Sequence, residues 1–334
     1  MMKKTTAKTL VSLFFAAFFL LAGAMPVSAT ETEKIKKPIR YAEFGITAAA
    51  LSDAADADIA SHTGDRPVNW IELLACLGQR YGGDFSKYQK THLNALLREL
   101  REKTPEETVR NKKLYRYYLE VYNAVLSGFL GPYTKEWEKD GLTYREESYG
   151  VRAFSPIAAG YAYTHYDDFG AARNFGYRRP HLGHDIFGSI GTPIIASEGG
   201  IVEELGWNRY GGWRIGIRSL DGKRYYYYAH LRRGHPYAGL YKGQILAAGE
   251  VIGYLGMTGY SDREDSNNIH VPHLHFGIEL IFDPAQKDGT NQIWIDCYEL
   301  IRFLGRYRSY TAVREDGKER VSSFRYLLPE TPES

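Results

Sequence analysis

Two histidines stand two residues apart in the stretch VPHLHFGIEL, residues 271–280. The stretch has strand character. Alternate side chains of a strand share a face, so His273 and His275 point the same way, with Cα atoms about 7 Å apart. At that spacing one imidazole can bind a metal ion while the other addresses a water or a substrate on it. An isolated His-x-His has a plainer reading as well, in which one ring packs and the other is solvated. Upstream lies HLGHD, residues 181–185, with His181 and Asp185 four apart. A helix would bring them to one face, but Gly183 and the preceding Arg178-Arg179-Pro180 favour a loop entering a strand. Alone, that loop is equally a turn with an incidental His–Asp hydrogen bond. Between the two stretches runs RYYYYAHL, residues 224–231, a strand of alternating tyrosines that ends in His230. A single histidine there reads as a polar edge residue.

The elements that must position these groups follow from composition and pattern. With 334 residues the chain has room for two domains. Its 44% hydrophobic and 25% charged content is that of a globular protein. The 27 tyrosines are the departure from average usage, and such residues line half-buried strands and wet grooves. Residues 1–29 read as an export signal: Lys3, Lys4 and Lys8, an apolar core over 10–21, and Val27-Ser28-Ala29 as the small-x-small site, with cleavage expected after Ala29. No charge occurs between Thr9 and Thr30, so an uncleaved membrane anchor is the alternative. Without the three signal lysines the chain carries 39 basic and 40 acidic residues. That balance offers neither the basic excess of a nucleic-acid binder nor a field that steers to membranes. Cys76 and Cys297 read as small packed hydrophobes rather than a disulfide. Two cysteines do not make a thiolate zinc site, so any metal here must use histidine and carboxylate.

Residues 30–45 read as a linker and 46–130 as a helical domain. Asn69, with Glu72 three residues on, caps the run WIELLACLGQRYGG, which Gly82-Gly83 ends. A second helix is expected over 91–102, with Leu93, Leu96, Leu97 and Leu100 on one stripe. A third begins at Thr104-Pro105, carries Tyr117, Tyr118 and Tyr122 as core or interface residues, and stops at Gly131-Pro132. His62 and His92 read as exposed or capping. Residues 131–150 are charged and read as a second linker. From 151 to 313 glycines and short β-branched runs alternate. Strands are expected at 194–196, 200–205, 213–218, 224–230, 251–255 and 273–281, with a hairpin turn at 219–222 and a helix over 294–304. Residues 314–334 read as a frayed polar tail.

Taken in order, the segments are HxGxD, GTPI-x-A at 191–196, GGIV at 199–202, Y-x-HL at 228–231, KGQ at 242–244, VIGYLGMTG at 251–259 and HLHF at 273–276. This series resembles the M23, or lysostaphin/LytM-type, zinc endopeptidases over residues 180–282. Together with the helical domain read above, the resemblance gives an α+β multidomain protein: an N-terminal helical domain followed by an antiparallel β domain of the M23/LytM (duplicated hybrid motif) type, the latter being what the resemblance implies. It implies one Zn²⁺ per chain held by His181, Asp185 and His275, with His230 and His273 as the catalytic pair. It further implies a secreted or wall-associated monomer that cuts peptide cross-links of bacterial peptidoglycan by a metal-activated water. No nucleic-acid partner is expected, and contact with a membrane only if the N-terminal segment is retained. The chemistry agrees: two neutral imidazoles and one carboxylate leave Zn²⁺ an open position, as in catalytic sites. No HExxH helix motif occurs. The rival reading is a non-hydrolytic wall-binding or scaffold protein on the same fold, its groove blocked by the helical domain or by residues 260–272. That acidic segment, YSDREDSNNIHVP, is longer than the family's short turn and is expected to rim the groove; 282–294 also departs from the family core. His184 is expected behind the site or exposed, and His235 and His270 in solvated loops.

Overall fold

The computed structural model describes residues 42–329, apart from 288, 290, 315, 316 and 318. The expected export signal and nearly all of the first linker lie outside these residues. Helix α1 spans Ala48–Ser61, with the Thr47 hydroxyl accepting from the Ala50 N–H. Helix α2 spans Trp70–Tyr81. The Asn69 side chain accepts from Ile71 and Glu72 N–H groups, and Gly82 at φ 64° ends it, as the capping pattern predicts. Helix α3 spans Lys90–Glu99. The third expected helix is two. The Thr104 cap starts the single turn α4, Pro105–Thr108, after which Val109 is extended (φ −98°, ψ 140°). The Gln79 amide oxygen takes the Arg110 and Asn111 N–H groups, and Asn111 then caps α5, Lys112–Leu126. A second capping residue within seven positions thus restarts the helix. Tyr115, Tyr118 and Tyr122 are buried.

Residues 131–150, expected as a linker, form a long hairpin. Strand β1 (Leu130–Lys139) pairs with β2 (Leu142–Val151) without a register shift. Its turn is Asp140-Gly141, both with positive φ (53° and 74°), the geometry of a two-residue hairpin loop. Charge on its solvated faces hides its strand character. Then follow β3 (Tyr163–His165), β4 (Ala172–Arg173), β5 (Arg179–Pro180), β6 (His184–Gly188), β7 (Pro193–Ile195), β8 (Gly200–Asn208), β9 (Gly212–Ser219) and β10 (Arg224–Ala229). Next come β11 (Ile245–Leu246), β12 (Val251–Tyr254), β13 (His273–Leu280) and β14 (Ile293–Trp294). Helix α6 covers Tyr298–Leu304, shorter than expected because Ile293–Trp294 pairs with β13 instead. Strands β15 (Thr311–Val313), β16 (Arg320–Ser322) and β17 (Arg325–Leu327) close the chain. The last of them pairs with β1, and Arg325 binds Glu136 at 2.8 Å, so this part of the expected frayed tail is structured.

The principal sheet is antiparallel with strand order β11-β8-β9-β10-β13-β6-β3, and β14 beside β13. Strand β13 alternates as a half-buried strand must: Leu274, Phe276 and Ile278 enter the core with Tyr226, Tyr228 and Ile186. His273 and His275 take the other face. The register sets His275 opposite Asp185 on one side and Ala229 on the other. Helices and sheet share one apolar core, which runs from Leu51 and Trp70 through Tyr122 to Tyr226, Phe276 and Phe303. Both cysteines are buried and free. Among the described residues no helix is long and apolar enough to cross a membrane.

Candidate metal and catalytic centre

The register brings three donor atoms together. His181 Nε2 lies 2.8 Å from His275 Nδ1 and 3.0 Å from Asp185 Oδ1, and His275 Nδ1 lies 3.1 Å from the same oxygen. Ligands about 2.0 Å from a tetrahedral Zn²⁺ sit about 3.3 Å apart, so this triangle has the size and the donor chemistry that such an ion takes. Gly183 explains the middle of HLGHD: a Cβ there would stand 2.6 Å from His275 Cε1. Every side chain larger than hydrogen would push the ring out of place.

Asp168 and Arg173 hold these ligands from behind. His181 Nδ1 lies 3.0 Å from the Asp168 carbonyl oxygen and 3.2 Å from its carboxylate, so the ring donates there and presents Nε2 to the centre. Arg173 donates to Asp168 Oδ2 at 2.9 Å and to Asp185 Oδ2 at 2.8 Å, which leaves Asp185 Oδ1 to face the histidines. Burial alone would push the His181 ring down; hydrogen bonds to Asp168 and Asp185 outweigh it and raise the ring to about 9. Burial opposes ionisation of Asp185, but hydrogen bonds from His181 and His275 hold its carboxyl well below the usual range. Asp168 and Arg173 carry no motif: DDFGAAR reads as a polar loop, and its pairing with His181 spans thirteen positions.

His230 and His273 flank the triangle, their ring centroids 4.7 Å apart. Each has its tautomer set by the backbone. His230 Nδ1 is 2.8 Å from the Thr258 carbonyl, and His273 Nδ1 is 2.8 Å from that of Val271. Both rings therefore donate from Nδ1 and keep an Nε2 lone pair; His273 Nε2 is 3.7 Å from Asp185 Oδ1. His230 has a left-handed backbone (φ 61°), held by its N–H to the Gly211 carbonyl at 2.7 Å. Burial, reinforced by His273 and His275, pushes the His230 ring well below the usual imidazole value, so it is neutral near pH 7.

The remaining histidines divide. His184 is fully buried, its Nε2 2.7 Å from His165 Nδ1. His270 is exposed. His235 is exposed, as expected of a loop residue, and it also pairs with Glu319 at 2.5 Å and stacks on Tyr254. The triangle opens into a cleft of about 290 Å³. The acidic segment 260–272 contributes Tyr260 to its lining, whereas Asp265 is turned away to accept from Trp213 Nε1 and the Gly234 N–H, both at 2.8 Å. Among the described residues, none of those lining the cleft comes from the helices.

Part of the chain resembles known proteins. Residues 179–288 match the model of Peptidase family M23. An L-Ala–D-Glu endopeptidase of Bacillus subtilis is 40% identical over 174 residues, which are 52% of this chain and 49% of that protein. Lysostaphin of Staphylococcus simulans is 40% identical over 97 residues, 29% of this chain and 17% of its own length. The chain thus spans about half the length of the first relative and less of the second. A crystal structure of a LytM protein from Ruminococcus gnavus shares the fold, with a TM-score of 0.50 at 22% identity over 79% of this chain and 89% of that one. All five clustered residues fall inside residues 179–288, the segment that matches Peptidase family M23.

Proposed function

We propose that this protein is an exported zinc endopeptidase that hydrolyses a peptide bond of bacterial peptidoglycan, at the L-Ala–D-Glu linkage that names its Bacillus subtilis relative. His181, Asp185 and His275 would hold the ion. Bound there, it supplies a Lewis acid for the scissile carbonyl and a water acidified towards neutral pH. The single observation that carries the reading is the joint geometry: three donors within 3.1 Å of one another and two rings beside them, each tied through Nδ1 to a carbonyl.

His273, nearer to Asp185 Oδ1, accepts the proton of the attacking water at Nε2. It then returns that proton to the leaving amine. His230, buried and held through Nδ1, offers its Nε2 lone pair to the N–H and O–H groups of the reacting centre in the transition state. Asp168 and Arg173 keep the ligand atoms aimed while this happens. That none of the described residues lining the cleft comes from the helices supports hydrolysis over the scaffold reading, which needs a blocked groove. The apolar signal at 10–21 supports export, which places the enzyme where its substrate is.

The test is mass spectrometry of fragments released from defined wall preparations by zinc-loaded protein. New L-alanyl carboxyl and D-glutamyl amino ends are expected. They should vanish with a chelator, return with zinc, and be missing in Asp185→Ala, whose zinc-to-protein ratio should fall near zero. Wall binding by the zinc-loaded protein without any released amine would overturn the proposal in favour of a scaffold.

A further inference from the structure

The cleft beside the metal triangle is lined by four basic side chains, Arg173, Arg179, Arg214 and Lys287, against three carboxylates, those of Asp185, Glu204 and Glu279. Three of the cations are matched. Arg173 binds Asp168 and Asp185, Arg214 binds Glu204, and Lys287 binds Glu203 at 2.6 Å. Arg179 has no carboxylate partner among the described residues. One of its five N–H groups goes to the Phe175 carbonyl at 2.7 Å. Its guanidinium lies over Tyr210 at 4.7 Å and within 5.9 Å of Tyr260, both also lining the cleft. Aromatic rings orient such a group through cation–π attraction without neutralising it.

Its position follows from β5. Arg173 is paired with Arg179, and the ladder continues through the His181 N–H to the Ala171 carbonyl at 2.8 Å. Arg179 and His181 are two apart on an extended ribbon, so they share a face with Cα atoms about 7 Å apart. A half-buried, oriented and unmatched guanidinium thus sits next to a metal ligand. A guanidinium in that state takes a planar anion by a two-point contact.

Resting on the endopeptidase reading above, we infer that Arg179 is a specificity residue that binds the free carboxylate of the glutamyl residue beside the scissile bond. Glutamate has two carboxyl groups. When one is tied up in a peptide linkage, the other remains as an anion within one residue of the cut. A carboxamide at that place lacks the charge and presents a donor to a donor.

The experiment compares two synthetic peptides containing L-Ala–D-Glu that differ only in whether this group is an acid or an amide, using the zinc-loaded protein. A charge-assisted contact gives the acid an advantage in kcat/KM of about tenfold to a hundredfold. Arg179→Gln should bring the acid down to the value of the amide and leave the amide unchanged. Arg179→Lys, a point charge without the fork, should keep part of the preference. Equal cleavage of both peptides by the unaltered protein, or an equal loss on both in Arg179→Gln, overturns the inference. Calorimetric binding of the two peptides to His230→Ala separates the two readings. A preference for the acid there that Arg179→Gln abolishes, with neither peptide cut by the unaltered protein, sinks the hydrolase and keeps the carboxylate site. Binding without any preference sinks the carboxylate site.

Discussion

Strand β10 carries a buried ionic cluster at each end, and the two are built to opposite ends. Arg224, at its start, is completely enclosed. Its guanidinium makes a two-point contact with Glu198 at 2.8 and 2.9 Å, donates to the Ala124 carbonyl at 2.7 Å and to Ser127 Oγ at 3.0 Å, and reaches Asp221 at 3.0 Å. Tyr226 donates its hydroxyl to the same Glu198. Every partner is protein, and two of them belong to the end of α5 and the turn that follows it. This cluster clamps the helical layer to the sheet. About six residues and 20 Å further on, His230 faces a cluster whose donors converge on a point and open into a cleft. There His181, Asp185 and His275 present lone pairs to one another at 2.8–3.1 Å, an arrangement that needs a cation or shared protons to persist. Saturation makes the first cluster structural; the unsatisfied convergence of the second suits it to hold a cation.

The comparison breaks first at the clamp. Arg224→Met leaves Glu198 charged and buried, and should cost about 3–5 kcal/mol in denaturant unfolding. The double variant Arg224→Met/Glu198→Met should recover most of that loss, because it removes both charges. A single variant within 1 kcal/mol of the unaltered protein would mean that the clamp contributes little. At the other end of the strand, His230→Ala should lower kcat about 10²–10⁴-fold and retain zinc. Normal turnover in that variant would remove His230 from the chemistry. Asp168→Asn keeps the shape but weakens the grip on His181. It should reduce zinc affinity about tenfold to a hundredfold, measured by competition with a chromophoric chelator.

A further effect is a slope with pH. In the folded, chelated protein the His181 ring is raised to about 9, against about 6.5 in an unfolded chain. A proton held more tightly by the folded form stabilises it. That contribution is complete below pH 6.5 and is lost as pH rises through about 9. Unfolding midpoints of chelated protein should therefore fall between pH 6.5 and 9. Zinc-loaded protein should lack this slope, since the ion takes the proton's place and releases it on binding. A flat profile in chelator would show that His181 is not gripped by the two carboxylates.

The parts of the fold legible beforehand are those set by near neighbours. Asn69 caps α2 through the next turn of chain. The alternation HLHFGIEL declares which face of β13 is wet, and the interval between His181 and Asp185 spans one short loop into β6. The hairpin at 130–151 was obscured because its strands are charged on their solvated faces, so the period-2 signal has no apolar partner. The break between α4 and α5 depends on Gln79, thirty-one residues away in sequence. Strand β17 looked like a tail because its partner, β1, lies almost two hundred residues earlier.

For the centre itself, residue types and strand periodicity made His181, Asp185, His230, His273 and His275 candidates with plainer readings beside them, and the resemblance of the ordered motifs to the M23 endopeptidases nominated them together. Tertiary structure alone decided which atom of each ring is offered. The Thr258 carbonyl orients His230 across 28 positions, Asp168 orients His181, and Arg173 selects the oxygen of Asp185 that meets the histidines. Such choices belong to groups that only folding brings within hydrogen-bond reach. Hydrogen bonding acts over about 3 Å of space, whatever the distance along the chain.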